Sequence, residues 1–485
     1  MLKNDLPHRQ RDPLILAFWA IAAVTLYRVG LLGFSTADLF VDEAQYWVWG
    51  QNLDWGYYSK PPMVGWLLRA VTDLAGSSSA LWVRMPGAIL HAATALILMG
   101  AAREYADRGT AAMVGLFYIT MPAVALGSFM VSTDTVLMPF FAGATWAWLR
   151  LTRGPDARLA MVLGLGLGLG MMSKYAAIYA VVCAPLGAMF VREARITWRD
   201  AAVAAVTFAV VVSPNVIWNL HNDLATLSHT ADNVDWVKNP GVTLNVSGAV
   251  EFFVAQFAVF GPVLFGAYLI ALVAAVRAPN WQARWFGWIS APVILLVTVQ
   301  ALLSRAYANW AVTACVGMVL LAVPFLWPRF RLVVWIGIAL NMVLTLAIPA
   351  VATQATTWRL EKDGRLVLRR YVGRADLSRH ALDLARTQGV QDIVADDRDM
   401  LADLFHTGRD SGLSIFAQPH KGHAPHYFAQ KLSYPAERDA PALYLGTSGV
   451  PPCEAELIEE YPVHIGAYAG RTIRFYLTPA GCWRP

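Results

Sequence analysis

Long apolar segments recur along this chain of 485 residues, and they constrain its fold more than any other feature. Each segment is about twenty residues long, the length that an α-helix needs to cross the hydrocarbon core of a bilayer. The chain is 57% hydrophobic and only 15% charged, whereas soluble domains carry about 25% charged residues. The sequence therefore predicts a polytopic α-helical membrane protein.

We expect about eleven transmembrane helices joined mostly by short loops. Only Lys174 separates the fifth span from the sixth. Residues 163–170, LGLGLGLG, are typical of close helix packing, because glycine lets two backbones approach. The predicted spans are 14–34, 81–101, 110–127, 135–150, 159–173, 175–191, 201–218, 249–275, 285–303, 311–328 and 332–350.

The basic residues of the loops predict the orientation. Most of them lie in the set of loops that includes the N-terminus, which places the N-terminus in the cytoplasm. The segment 35–80, the loop 219–248 and the tail after residue 350 then lie outside. The first span is longer than the apolar core of a signal peptide, so we interpret it as a retained anchor.

Residues 351–485 form a region of different composition, with a higher density of charge. We expect a small α/β domain here, outside the transmembrane domain of residues 1–350. It lacks the glycine motifs of nucleotide sites. The net charge of +5 needs no nucleic acid partner, since most cations lie in short loops. Helices are predicted at 377–388 and 397–405, and strands at 391–396, 413–417, 442–446, 462–466 and 472–478.

Two features of the tail bear on disulfide and metal chemistry. Cys453 and Cys482 lie in a predicted oxidising compartment, where they could form a disulfide or stay reduced. His420, His423 and His426 are spaced like metal ligands, but without a neighbouring acid or cysteine we interpret them as part of a polar loop.

Adjacent acids follow the first span, in the segment 35–66. Charged groups beside a bilayer are costly unless they have a function. Asp42 and Glu43 could accept a proton from an attacking hydroxyl or hold a divalent cation; a solvated pair is the alternative. Asp134, at the predicted outer end of the fourth span, is either a further functional acid or the N-cap of that helix.

Three cations are predicted on the same side. Two prolines follow Lys60 and restrict its backbone, and a rigidly placed ammonium is suited to a phosphate. Lys174 and Arg305 each stand alone among apolar residues at an outer rim, where snorkelling is the alternative interpretation. Together the three predict a phosphate-binding cluster, with Tyr57 and Tyr58 beside it as candidate sugar contacts.

A polar stretch at 213–236, SPNVIWNLHNDLATLSHTADNVDW, is rich in Asn, His and Asp. Asn215, Asn219 and His229 could hydrogen-bond the hydroxyls of a sugar or an acceptor. A polar loop held by turn residues is the alternative.

The string FVDEAQYWVWGQNLDWGYYSKPPMVGW resembles the first outer loop of bacterial GT-C glycosyltransferases of the protein O-mannosyltransferase and aminoarabinose-transferase superfamily (glycosyltransferase family 39/83 type). STDT at 132–135, SKY at 173–175, the start of the polar stretch and RAYANW at 305–310 follow in order. The resemblance covers roughly residues 14–350. It implies a transferase that moves one sugar from a polyprenyl-phosphate donor at the outer face of the bacterial inner membrane.

The resemblance also implies roles for individual residues. Asp42 resembles the catalytic acid, with Glu43 beside it, and Asp134 resembles the second acidic motif. Lys60 matches a position that contacts the carrier phosphate in aminoarabinose transferases. Residues between Glu43 and Lys60 differ from that subgroup, which leaves the sugar open.

Our hypothesis is an inverting glycosyl transfer to lipid A or the lipopolysaccharide core, with aminoarabinose or galacturonic acid as the sugar. Transfer to protein or to another envelope glycan from the same donor class is the alternative. A lipid-carrier transporter would instead need ionisable residues near mid-membrane, whereas here they gather on one face. The expected partners are the lipid-linked donor, a lipid or glycan acceptor and membrane lipids. A divalent cation at Asp42 and Glu43 stays open.

Overall fold

The computed structural model describes residues 12–224, 226, 244–360, 364–420, 422, 424–447 and 449–483. Short 3-10 segments at Tyr175–Ala177 and Ala308–Ala314 lead into two of the helices. The helices up to residue 352 are α1 (Pro13–Leu32), α2 (Val41–Gln51), α3 (Met63–Ala75), α4 (Ala80–Ala102), α5 (Arg108–Thr120), α6 (Pro122–Phe129), α7 (Thr133–Leu151), α8 (Ala157–Ser173), α9 (Ile178–Phe190), α10 (Trp198–His221), α11 (Val246–Phe260), α12 (Pro262–Ala275), α13 (Trp281–Leu303), α14 (Cys315–Leu326) and α15 (Arg331–Ala352).

The described helices make this a multi-pass helical protein, as the apolar segments predict. By length and composition, six of them can cross a membrane, or eight if each of two bent pairs is one span. Every predicted span coincides with one helix or two consecutive helices. The count of eleven is not established, because α8 and the helix at Tyr175–Phe190 are short for a bilayer.

Two predicted spans are bent. The span predicted at 249–275 is wrong as a single helix, since α11 and α12 meet at an angle of 114°. Gly261 has φ 91°, a conformation that favours glycine, and Pro262 starts the next helix. The span predicted at 110–127 is bent by 54° between α5 and α6.

The glycine-rich segment of α8 packs closely, as predicted. The helix lies between α7 and α10. A Cβ on Gly164 would lie 2.4 Å from the carbonyl oxygen of Ala204, and one on Gly166 would lie 2.9 Å from that of Phe140. Only glycine permits both neighbours to approach so closely.

The segment 35–80, which the sequence analysis places between the first two spans, contains two helices. These are α2 and α3, which pack against each other. One face of α3 carries the buried Val64 and Leu68, whereas Leu74 is 89% exposed. This amphipathic pattern is typical of a helix that lies on a surface and covers a core below it.

The tail is an α/β domain with a five-stranded sheet of order β2-β1-β3-β5-β4. β1 is parallel to β2 and β3, and β5 is antiparallel to β3 and β4. Cys453 and Cys482 form a disulfide. The elements are α16 (Arg374–Thr387), β1 (Asp392–Ala395), α17 (Arg398–Thr407), β2 (Ser414–Ala417), α18 (Tyr427–Lys431), β3 (Ala442–Gly446), β4 (Glu456–Pro462) and β5 (Thr472–Thr478).

The strand predicted at 462–466 is wrong. The ladder with β5 ends at the pair Pro462 and Thr472. Val463 then donates its amide to the carbonyl of Arg471 and accepts from the amide of Gly470. Residues after Pro462 therefore belong to the hairpin connection, and the strand lies before it.

The tail shares its apolar core with the segment 35–80. One buried cluster joins Trp47 and Leu68 of that segment to Leu401 and Phe428 of the tail. Helix α17 packs directly on α2. The tail is therefore held against the bundle by buried apolar surface, which is the main stabilising contribution in such interfaces.

Candidate active site

The two adjacent acids lie in the first turn of α2, where the positive end of the helix dipole favours carboxylates. Successive residues of a helix point about 100° apart. Glu43 therefore turns into the protein and is fully buried, whereas the side chain of Asp42 is 42% exposed. One sequence motif thus supplies two groups in different environments.

Glu43 is a structural residue. Its carboxylate forms a completely buried ion pair with Arg84 of α4, with Nη2 at 2.8 Å from Oε2. It also accepts the backbone amides of Phe40 at 2.9 Å and Val131 at 3.2 Å. These partners occupy both oxygens, so the geometry does not support the predicted catalytic role of Glu43. The residue fixes α2 on α4 instead.

Asp42 is partly exposed where the segment 35–80 meets the tail. Its Oδ1 accepts a hydrogen bond from Nη2 of Arg398 at 2.5 Å, and Nε of the same guanidinium donates to Gln45 Oε1 at 2.6 Å. Arg398 lies in the first turn of α17, after the N-cap Asp397. The sequence analysis missed Arg398, because no motif links it to an acid 356 residues away.

Asp134 and Lys174 form a second ion pair at the same end of the bundle. The Lys174 ammonium lies 2.7 Å from both carboxylate oxygens, and each side chain is less than one-fifth exposed. Ser132, not Asp134, is the N-cap of α7, since its hydroxyl accepts the amide of Thr135. Lys174 has an extended backbone conformation at the C-terminal end of α8. The predicted break between the fifth and sixth spans is therefore present.

Lys60 lies in the turn between α2 and α3, partly buried. The pKa of its ammonium is lowered because burial penalises the charged form and because Lys174 is near; Asp42 and Asp134 oppose this, and Arg398 adds to it. The structure therefore brings Lys174, Asp42, Asp134 and Arg398 within electrostatic reach of Lys60. Within the described residues, the ammonium of Lys60 makes no ion pair or hydrogen bond.

Tyr57 and Tyr58 are buried beside Lys60. The ring of Tyr57 stacks on Trp49 at a centroid distance of 4.7 Å, and its hydroxyl donates to the Trp49 carbonyl at 2.7 Å. The Tyr58 hydroxyl donates to the carbonyl of Ala424 in the tail at 3.0 Å. This geometry does not support the predicted sugar contacts. The two tyrosines shape the turn that presents Lys60.

Asn215 and Asn219 lie on the last turns of α10, which ends at His221, beyond the predicted span 201–218. Asn215 donates to the Trp55 carbonyl at 2.6 Å and accepts the hydroxyl of Tyr175 at 2.8 Å. Asn219 donates to the same tyrosine oxygen at 3.0 Å. Both amides are buried, so they hold the turn of Lys60 on the bundle and offer little surface to a sugar.

Two predicted site residues remain, His229 and Arg305. His229 lies outside the described residues. Arg305 is exposed in the turn after α13, and its phosphate-binding role stays a prediction.

The residues present do not fit a divalent cation at Asp42 and Glu43. The two carboxylates point to different arginines, Arg398 and Arg84. Among the described residues, no group of three or more His, Cys, Asp and Glu side chains converges as a metal site. In the tail, His426 caps α18 by accepting the amide of Ala429.

Comparison with known proteins gives consistent matches. The family model described as dolichyl-phosphate-mannose-protein mannosyltransferase matches residues 59–218. The chain is 40% identical over 469 residues to the lipid A galacturonosyltransferase RgtD of Rhizobium johnstonii, covering 96% of this chain and 98% of that protein. It is 28% identical over 259 residues to the lipopolysaccharide core galacturonosyltransferase RgtA of the same organism, covering 52% and 51% of the two chains.

A solved structure matches over the full length. The structure of ArnT from Cupriavidus metallidurans bound to undecaprenyl phosphate aligns with a TM-score of 0.63 at 15% identity, covering 97% of this chain and 99% of that one. The fold is therefore ArnT-like, with a multi-pass helical bundle. This fold and the full-length galacturonosyltransferase relative together define a membrane-embedded sugar transferase.

The chain belongs to the GT-C glycosyltransferase family, of the type that includes protein O-mannosyltransferases and lipid A galacturonosyltransferases. The near-complete coverage of the rhizobial relative includes the tail as well as the bundle. The expected family is thereby confirmed.

Proposed function

We propose that this enzyme transfers one galacturonic acid residue from a polyprenyl-phosphate donor to lipid A or the lipopolysaccharide core. The 40% identity to a lipid A galacturonosyltransferase extends over nearly the whole of both chains. Of the two sugars that the sequence analysis left open, these relatives favour galacturonic acid over aminoarabinose.

The observation that carries the proposal is the convergence of Asp42, Asp134, Lys60 and Lys174 at one end of the bundle. Lys60 is a partly buried ammonium that makes no ion pair or hydrogen bond within the described residues, and burial and the nearby Lys174 disfavour its charged form more than Asp42 and Asp134 favour it. An anion that binds directly to this ammonium stabilises its charge. The phosphate of a lipid-linked donor is such an anion, and the structural relative was solved with undecaprenyl phosphate.

The transfer needs one base and one stabilised leaving group. An acceptor hydroxyl attacks the anomeric carbon from the face opposite the phosphate, and Asp42 accepts its proton. The bond between the anomeric carbon and the phosphate oxygen breaks, and the electron pair stays on that oxygen. Lys60 stabilises the departing phosphate, so protonation by a general acid is unnecessary. The configuration at the anomeric carbon is inverted.

The Asp134–Lys174 pair serves the same phosphate. An ammonium held by both oxygens of one carboxylate is fixed in direction, yet its remaining proton can be donated to a ligand. Asp134 is thus a positioning residue for Lys174. Loss of Asp134 would leave the lysine misdirected as well as unpaired.

The proposed compartment is the periplasmic face of the inner membrane, with the N-terminus in the cytoplasm. The distribution of basic residues in the loops supports this orientation. No nucleotide sugar is supplied outside the cytoplasm, so a site there requires a sugar that is already activated on a lipid.

The direct test is transfer by the purified full-length protein. Undecaprenyl-phosphate galacturonic acid, labelled in the sugar, is incubated with lipid A in detergent, and the lipid is analysed by mass spectrometry. A mass increase of one hexuronic acid residue is expected. Label that appears only on protein or on another envelope glycan would overturn the acceptor, and the absence of label from every acceptor would overturn the function.

A further inference from the structure

The tail contributes a charged side chain to the site. Arg398, at the start of α17, lies against α2 and contacts both Asp42 and Gln45. Its side chain is 39% exposed, so a ligand can reach it. A domain after the transmembrane helices therefore completes a site whose other groups come from the bundle and the segment 35–80.

The position of Arg398 is fixed by the fold. The side chain of Asp397 accepts the amides of Asp399 at 2.7 Å and Met400 at 3.4 Å, which caps α17. Met400 and Leu401 are fully buried in the core that the tail shares with α2. A side chain in the first turn of such a helix has little freedom to move relative to Asp42.

The guanidinium has donor capacity that its present contacts do not use. Nε donates to Gln45 and Nη2 donates to Asp42, whereas Nη1 makes no hydrogen bond within the described residues. Arginine presents five N–H donors in a planar fork that matches a carboxylate. Arg398 can therefore hold Asp42 and bind a second carboxylate at the same time.

The charges of the site indicate which ligand this is. Asp42 is paired with Arg398 and Asp134 with Lys174, so neither acid is left without a cation to attract an amino sugar. Lys60 and the outer edge of Arg398 instead offer two separate cationic positions. A galacturonic acid on a lipid phosphate carries two anions, the phosphate and the carboxylate at C6.

We propose that Arg398 binds the C6 carboxylate of the donor sugar and makes this transferase selective for a uronic acid. The proposal rests on the proposed function, since it names the group by which that donor is recognised. A neutral hexose would leave the guanidinium edge without an anion, and a 4-amino sugar would place an ammonium beside it. Neither of these two sugars forms the charge-assisted hydrogen bond that the carboxylate of the uronic acid forms with Arg398.

The experiment compares two donors that differ only at C6, undecaprenyl-phosphate galacturonic acid and undecaprenyl-phosphate galactose. KM and kcat are measured with full-length wild type, Arg398→Gln, Arg398→Lys and the control Arg379→Gln, which changes an exposed arginine of the same domain. Wild type should prefer the uronic acid donor. Arg398→Gln should raise KM for that donor roughly 10- to 100-fold more than KM for the galactose donor, the size of a lost charged hydrogen bond.

Arg398→Lys keeps the charge and should recover part of the preference, and Arg379→Gln should retain all of it. An equal loss on both donors would show that Arg398 only positions Asp42, and would overturn the proposal. So would an unchanged preference in Arg398→Gln. If wild type transfers neither sugar, the proposed function itself fails, which separates that result from a failure of the selectivity alone. Thermal unfolding in detergent checks that each variant is folded.

Discussion

The two ends of the helix bundle carry ion pairs of different character. Helix α4 begins at the end that holds the site and, at 23 residues, ends about 35 Å away. At the site end, the pair Glu43–Arg84 is fully buried and the pair Asp134–Lys174 is more than four-fifths buried. At the opposite end, Arg153 pairs with Glu104 through a half-exposed guanidinium, and Glu193 is 52% exposed in its pair with Arg284.

This difference in burial indicates at which end of the bundle charged side chains serve function. Exposed pairs contribute little to stability, so the Glu193–Arg284 pair of the opposite end is an ordinary feature of a membrane interface. Burying a pair costs desolvation of both ions and requires hydrogen bonds to every oxygen. At the site end, hydrogen bonds to both oxygens of Glu43 offset the desolvation of the Glu43–Arg84 pair. Less buried charged side chains lie beside this pair, where a ligand can reach them.

The largest expected effect is the loss of turnover in Asp42→Asn. The amide keeps an oxygen for Arg398 but cannot accept the acceptor proton, so kcat should fall by about 10²- to 10⁴-fold. Glu104→Gln, at the opposite end, should retain near wild-type turnover. The rate of transfer of labelled sugar to lipid A measures the turnover of both variants. A fully active Asp42→Asn would show that Asp42 takes no part in the chemistry.

Glu43→Gln should destabilise the protein more than any exposed acid does. The variant leaves the buried Arg84 guanidinium without its anion, which costs about 3–5 kcal/mol. Glu193→Gln removes an exposed pair and should cost about 1 kcal/mol or less. Chemical unfolding in detergent compares the two. Equal stabilities would contradict the structural role assigned to Glu43.

Lys60→Ala should weaken donor binding about 10- to 100-fold, through loss of a charged hydrogen bond to the phosphate. Arg153→Ala removes a cation from the opposite end and serves as the matched control. Binding of undecaprenyl phosphate, measured directly on the purified proteins, isolates this effect from turnover. Unchanged affinity in Lys60→Ala would place the carrier phosphate elsewhere.

The smallest effect is a pH dependence at the contact between tail and segment 35–80. His406 Nε2 lies 2.9 Å from the Ser78 carbonyl, its ring packs edge-on against Trp47, and burial lowers its pKa to about 4. Because the folded protein holds this histidine neutral while the unfolded chain titrates near pH 6.5, stability is complete above that pH and falls as the pH drops towards 4. The loss from pH 6.5 to 5.5 should be about 1 kcal/mol.

His406→Gln should flatten this dependence while keeping a donor for Ser78. Urea unfolding at a series of pH values, read by the fluorescence of the segment's tryptophans, measures it. The same slope in wild type and variant would exclude His406 as its source.

Periodicity and composition were sufficient for most of the architecture. The apolar segments, the break at Lys174 and four of the five tail strands follow from local patterns that act within a few residues. The errors have tertiary causes. The bend at Gly261 lies within one continuous apolar run, and α10 continues to His221 beyond the predicted span because Asn215 and Asn219 find hydrogen-bond partners inside the protein.

The candidate site was predictable only in part. Lys60, Asp134 and Lys174 stand out as charges among apolar residues, and the structure brings them together with Asp42. Sequence could not separate the roles of Asp42 and its neighbour, because both are acids of one motif. Tyr57 was assigned to a sugar because aromatic rings suit that purpose, whereas stacking on Trp49 buries it.

The sequence by itself determined that this protein is a multi-pass helical bundle with acids directly after its first span, since hydropathy and helix length depend on neighbouring residues alone. Only the tertiary structure decided which acid is buried and which stays partly exposed, because a rotation of about 100° between adjacent helical residues gives them different surroundings. It also decided that Arg398 reaches Asp42, a contact formed by the docking of two distant parts of the chain.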